Sequence, residues 1–237
     1  MRNFNFSRVV IALFALVQIS CGTTYHRTSP TESGDPVLTE SLFDFKERTL
    51  SEADIQRILD GRIQARDSIR LAVFNFGGST SRYGTWRWYD EESLKSQQQL
   101  LDTLSFALSR SHRVQKVMML PPMVTGLKPN IHQLRESAVR VQADMLLIYS
   151  LHSDIFQKYR AFKKDEAKAF ATCEMVLMDI RTGLIPHTNV VTRSASTTKL
   201  QGDFTEEEMQ NRVLRTATLE TLLEAGNKAA AFLNEQR

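Results

Sequence analysis

Cysteine, proline, glycine and tryptophan are all scarce in this chain of 237 residues, with two, six, ten and two copies. Two cysteines cannot build the multi-bridge framework on which small secreted domains depend. So few glycines and prolines argue against collagen-like or low-complexity sequence. An excess of one charge is missing as well. Thirty Lys and Arg face 27 Asp and Glu, for a net charge of +3, and no basic stripe is present, so no nucleic-acid partner is implied.

The one long apolar run lies at the start. MRNFNFSRVVIALFALVQISC places Arg2 and Arg8 ahead of an uninterrupted apolar stretch from Val9 to Val17 and puts the small Ser20 before Cys21. A membrane-spanning helix needs about twenty apolar residues, and Gln18 ends this run well short of that. The segment therefore reads as a signal peptide, 1–20, of the lipoprotein type, with Cys21 as the lipidated first residue of the mature chain. Several acyl chains on one residue anchor far more firmly than a single chain does. Gly22, where Asp would favour retention in the inner membrane, is expected to act as an outer-membrane address. Without the signal, 28 basic residues stand against 27 acidic ones, so the mature chain is close to neutral. Cys173 is then left without a partner and reads as a buried small hydrophobe, since its flanks hold no His, Lys or Arg to favour a thiolate.

GTTYHRTSPTESGDP, which follows Cys21, is poor in aliphatics and reads as a flexible tether over 21–45 that lets the domain stand off the membrane. Ser51 to Asp54 offers a helix cap ahead of Ile55, Ile58, Leu59 and Ile63, and a leading helix is expected within 46–67. The domain proper spans 68–237. Ile69 to Phe76 predicts a strand, and Ser93 to Ser109, with Leu94, Leu101, Leu104 and Leu108 on one side, an amphipathic helix. A strand over Val114 to Leu120 ends at Pro121-Pro122. Asn130 caps a helix carrying Ile131, Leu134, Ala138 and Val141. Met145 to Leu151 reads as a strand buried on both faces. Ala167 to Ile180 and Leu184 to Lys199 form a long hairpin around a turn at Asp179 and Gly183, and Pro186 argues for an edge or a bulge near the start of the second arm. Thr205 caps a long C-terminal helix with Met209, Val213, Ala217, Leu222 and Phe232.

This gives the order β-α-β-α-β-β-β-α: an α/β (α+β) fold, one domain, with a mixed β-sheet packed by helices. The linking sequence ALSRSHRVQKV, the strand entry Gln142-Ala143-Asp144-Met145-Leu146-Leu147 and the turn Asp179-Ile180-Arg181-Thr182-Gly183 together resemble envelope lipoproteins built on a TolB N-terminal-type domain. That group includes the curli-secretion lipoprotein, the outer-membrane activators of penicillin-binding proteins and the rhombotarget lipoproteins. The resemblance covers Ile69 to Leu233 and implies a lipid-anchored accessory module. The chain departs from the rhombotarget pattern in ending FLNEQR, without Gly-Gly and an apolar tail.

Catalytic motifs are sparse. The Gly77-Gly78 loop lacks the Gly-Lys-Ser/Thr of a phosphate loop, and no Gly-x-Ser-x-Gly elbow occurs. His26, His112, His132, His152 and His187 form no i, i+4 pair of the metal-ligating kind. His152 and Asp154 share a strand face and read as a solvated pair. Asp144, Asp154, Asp165 and Asp179 are expected at element ends. Accordingly no catalytic, cofactor or metal residue is nominated, and the chain is expected not to be an enzyme.

The aromatic run Tyr83-Gly84-Thr85-Trp86-Arg87-Trp88-Tyr89 concentrates the residue types that dominate binding hot spots. Tyr83, Trp86, Arg87, Trp88 and Tyr89 are the candidate partner-binding residues, with a lid over the core as the structural alternative. A basic stretch, Lys158 to Lys164, is a second surface feature and reads as a solvated loop. The expected function is that of a lipid-anchored outer-membrane lipoprotein with its domain in the periplasm or at the cell surface. Its partners would be the membrane, through Cys21, and an envelope protein, with a second copy of the chain left open. The alternative is a small-ligand-binding or hydrolytic envelope enzyme.

Overall fold

The computed structural model describes residues 25–27, 42, 50–63, 66–76, 91–126, 129–158, 166–198 and 205–235. The expected signal segment 1–20, Cys21 and the aromatic run at 83–89 lie outside the described residues. The elements are β1 (Tyr25–Arg27), α1 (Glu52–Leu59), β2 (Ile69–Asn75), α2 (Glu91–Leu108), β3 (Val114–Met119), α3 (Pro122–Thr125), α4 (Ile131–Arg140), β4 (Met145–Lys158), β5 (Glu166–Asp179), β6 (His187–Thr198) and α5 (Glu206–Glu235).

The strands form one sheet in the order β3-β2-β4-β5-β6. β2 is parallel to both β3 and β4, whereas β4, β5 and β6 run antiparallel as a meander. Local chemistry sets the boundaries. Asn130 accepts from the Gln133 N–H at 2.9 Å while the Gln133 side chain accepts from the Asn130 N–H at 3.0 Å, a complete capping box for α4. Thr205 Oγ1 accepts from the Glu208 N–H and starts α5. Asp179 Oδ1 accepts from the Arg181 N–H, and Gly183 adopts φ +77°, closing the β5–β6 turn that Arg135 of α4 clasps through the Ile180 and Arg181 carbonyls.

Two helix layers sandwich only the lower half of the sheet. α2 and the C-terminal half of α5 pack on Leu71, Val73, Leu147, Tyr149, Cys173, Met175 and Leu177. On the opposite face α4 brings Ile131, Leu134 and Ala138 onto Ala72, Phe74, Leu146, Ile148 and Met178. The first face of the upper half is covered by the N-terminal half of α5, where Met209, Val213 and Ala217 meet Ile155, Ala167, Ala169 and Ala171. At about 1.5 Å per residue α5 is about 45 Å long, and a fourteen-residue strand at about 3.4 Å per residue is nearly the same. Helix and hairpin therefore match end to end. The buried residues of α5 include Met209, Val213, Ala217, Thr221, Ala225, Ala229 and Leu233, each four after the last. Each such step advances about 40° around the axis, so the stripe winds as the helix crosses the twisted strands.

Four expectations need correction. β4 runs on to Lys158 instead of ending at Leu151, because its polar upper half pairs residue by residue with β5, through Lys158 and Glu166. Asp154 consequently lies inside a strand and not at an element end. α1 stops at Leu59, and Ile63 falls beyond Gly61, whose absent side chain leaves room for Leu184 Cδ1 at 2.9 Å from a would-be Cβ. Within the expected tether, Tyr25–Arg27 pairs antiparallel with Phe156–Lys158, and Leu42 accepts a bond from the Ile131 N–H and packs against the α4 face. Backbone pairing needs no apolar side chain, so such a strand leaves no periodicity in the sequence.

Candidate functional site

The α4 layer covers the sheet only as far as Ile148 and Met178. Beyond it the same face of β4, β5 and β6 carries Ser150, His152, Asp154 and Phe156, then Lys168, Phe170, Thr172 and Glu174, then Val190, Thr192, Ser194 and Ser196. Strict alternation puts these residues on one side, since their neighbours Ile155, Ala169, Ala171, Cys173 and Val191 are buried under α5. From Thr188 to Thr198 every β6 residue on this face is exposed, and Val190 is 65% exposed. Among the described residues no helix lies over this patch.

Its chemistry is hydroxyl-rich with an aromatic corner. Thr172 Oγ1 and Thr192 Oγ1 are 2.9 Å apart across the β5–β6 pair. Phe156 and Phe170 meet edge to face with ring centroids 5.7 Å apart, and Lys168 Nζ sits 4.7 Å over the Phe170 ring. Ser150 Oγ and His152 Nε2 are 2.8 Å apart, within reach of proton transfer, though Ser150 is buried at the foot of the patch. Asp154 shares this face and accepts from the Ile155 N–H at 2.9 Å. Among the described residues no three of His, Cys, Asp and Glu are grouped to hold a metal ion.

The patch also adjoins the point where strand connections diverge. β2 leads through α2 to β3 on one side, while β4 leads to β5 on the other; β2 ends at Asn75 opposite Tyr149, and β4 runs on past it to Lys158. Phe76 leaves β2 there with its N–H bonded to the Tyr149 carbonyl at 2.7 Å. The aromatic run begins a few residues later in sequence, outside the described residues.

At the opposite end of the sheet Asp144 accepts from the Arg70 N–H at 2.9 Å and pairs with the Arg70 and Arg66 guanidinium groups. Burial works to raise its pKa, but the Arg70 bonds and the Arg66 charge outweigh that and hold the carboxyl below the usual range. This cluster ties the segment after α1 to the sheet. Cys173 is fully buried, and burial pushes its thiol up to about 12, as suits an inert core residue. Burial likewise raises the Tyr149 phenol and depresses His187, whose ring stacks on Phe232 with centroids 4.7 Å apart. α1 buries none of its residues and leaves Ile58 and Leu59 exposed.

Phe156, Lys168, Phe170, Thr172 and Thr192 form no motif along the chain, because they come from three strands. Their signal in the sequence is the alternation of buried and open positions, clearest from Ala167 to Cys173.

No family model matches the chain, and no curated protein matches it. It is similar to several solved structures. A minor lipoprotein from Acinetobacter baumannii shares 10% identity over 70% of this chain and 94% of that one, with a TM-score of 0.37. A lipoprotein from Neisseria meningitidis shares 14% over 69% and 99%, with a TM-score of 0.32. A hypothetical protein from Chlamydia trachomatis shares 12% over 71% and 100%, with a TM-score of 0.41. Among the described residues no helix is long and apolar enough to cross a membrane.

Proposed function

We propose that this chain is a lipid-anchored cell-envelope lipoprotein, held in the outer membrane through Cys21, whose single α/β domain is a non-catalytic binding module of an envelope assembly. The anchor rests on the signal-like sequence that ends at Cys21. The binding role rests on the open upper face of β4, β5 and β6. A hairpin backed along its length by α5 on one side presents hydroxyls, a Phe pair and the exposed Val190 on the other. An open, mixed surface of this sort suits a protein or glycan partner better than an enclosed small molecule. The aromatic run, and Trp86 and Trp88 in particular, is proposed as a second contact.

Photocrosslinkers placed at Thr192 and, separately, at Trp88 in native envelopes test this. A discrete protein adduct that disappears with Cys21→Ala supports an anchored adaptor. Well-folded protein that gives no adduct from either position overturns it.

The contact between Ser150 and His152 favours one second reading, a weak hydrolase, because it pairs a hydroxyl with a base. Ester hydrolysis by the purified protein that is lost in Ser150→Ala would establish it. Activity unchanged by that substitution would remove it.

A further inference from the structure

β1 fixes the position of the anchor relative to the domain. It pairs antiparallel with the far end of β4, Tyr25 opposite Lys158 and Arg27 opposite Phe156. β4 runs outward to the end of the β4–β5 pair at Lys158 and Glu166, the tip, and β1 runs back from it, so the chain enters β1 at that end. Cys21 is four residues before Tyr25. Four residues span at most about 14 Å even when fully extended. A lipid on Cys21 is thus confined to the neighbourhood of the tip. It cannot reach the other end of the sheet, since β5 from Glu166 to Asp179 is about 44 Å long at roughly 3.4 Å per residue.

From this we propose that the hairpin tip is the membrane-facing end of the domain, seated against the headgroup layer of the bilayer that holds Cys21. The proposal rests on the lipid-anchor reading given above. The side chains at that end suit the role. Phe156 and Phe170 form an aromatic pair, with Lys168 exposed and laid over Phe170. Aromatic rings with a neighbouring cation settle well at a headgroup interface. The cluster of Arg66, Arg70 and Asp144, the β5–β6 turn and α1 then form the outward end. The rest of the open sheet face, around Thr172, Thr192 and Val190, stands upright between the two ends, reachable from the side by a partner in the same compartment.

Energy transfer to the membrane surface tests the orientation. The intact lipidated protein, carrying Ser196→Cys or Arg181→Cys, is labelled with a donor; buried Cys173 stays unreactive. Ser196 is the β6 partner of Lys168, near the tip, and Arg181 is in the turn at the opposite end. Each sample is reconstituted into vesicles of phosphatidylethanolamine and phosphatidylglycerol containing a headgroup-labelled acceptor. Intact mass is recorded beforehand. With the lipid present by mass, transfer several-fold stronger from position 196 than from 181 supports the proposal. Equal transfer, or stronger transfer from 181, overturns it while leaving the anchor standing. A mass without lipid overturns the anchor reading, and the orientation with it.

Discussion

Gly226 of α5 lies so close to Ala107 of α2 that a methyl on Gly226 would come within 2.7 Å of the Ala107 Cβ and 3.1 Å of Leu104 Cδ1. The contact lets two helices share one face of the sheet at short range. Gly226→Ala should therefore destabilise the domain by about 1–3 kcal/mol, overcoming the roughly 1 kcal/mol that alanine contributes to a helix interior. Urea unfolding measures this. Adding Ala107→Gly should recover part of the loss, with coupling above about 0.5 kcal/mol in a double-mutant cycle. Additive effects would show that the helices move apart freely.

Asp144 should make the protein sensitive to acid. Its carboxyl titrates below the usual range when folded, so its contribution is present above about pH 4 and is lost as pH falls through the folded value. Arg66 and Arg70 are 26% and 40% exposed, so solvent screens the pair. Asp144→Asn should cost about 1–3 kcal/mol at neutral pH and approach the parent protein in stability under strong acid. Denaturant titrations at both pH values check it, and a constant gap would mean that charge is not the cause.

Cys173 should resist alkylation by a maleimide in the native protein and react promptly in denaturant. Both burial and a thiol pushed up to about 12 keep the thiolate out of reach. Labelling followed by mass spectrometry reads this directly. Fast labelling of the native protein would reveal an opening of the β5–α5 contact well short of global unfolding.

On the open face, Val190→Lys and Thr192→Asp should change stability by no more than about 0.5 kcal/mol, because both positions are exposed. The adaptor reading has them weaken the adduct formed by a photocrosslinker at Ser194, on the same face. Thermal melts and crosslinking on the same preparations separate the two effects. A large fall in melting temperature would show that the patch belongs to the core.

Much of the fold was legible because local chemistry and tertiary packing agree. Asn130 caps where an Asn before an apolar helix should, Gly183 takes the positive φ its turn requires, and Cys173 alternates into the core with Met175 and Leu177. Legibility failed where a strand earns its place by backbone pairing alone. The upper half of β4 is polar on one face, and only its long register with β5 makes it a strand. Tyr25–Arg27 carries no periodic signal, yet it pairs with the far end of β4. The winding stripe on α5 similarly blurs any single apolar side, although every fourth residue from Met209 to Leu233 is buried. As for the site, hydroxyls spread across three strands form no motif along the chain, whereas the aromatic run does and drew attention first.

The register of β1 also bears on the order of events during synthesis. Its partners Phe156 to Lys158 are synthesised long after Tyr25 to Arg27, so this short pair cannot form until much of the chain has been made. Closing so long a loop costs little more than closing a moderate one, but it has to come late. A chain already fixed to the bilayer at Cys21 would thus fold at the end of a slack leash, and β1 would draw that leash in as a final step.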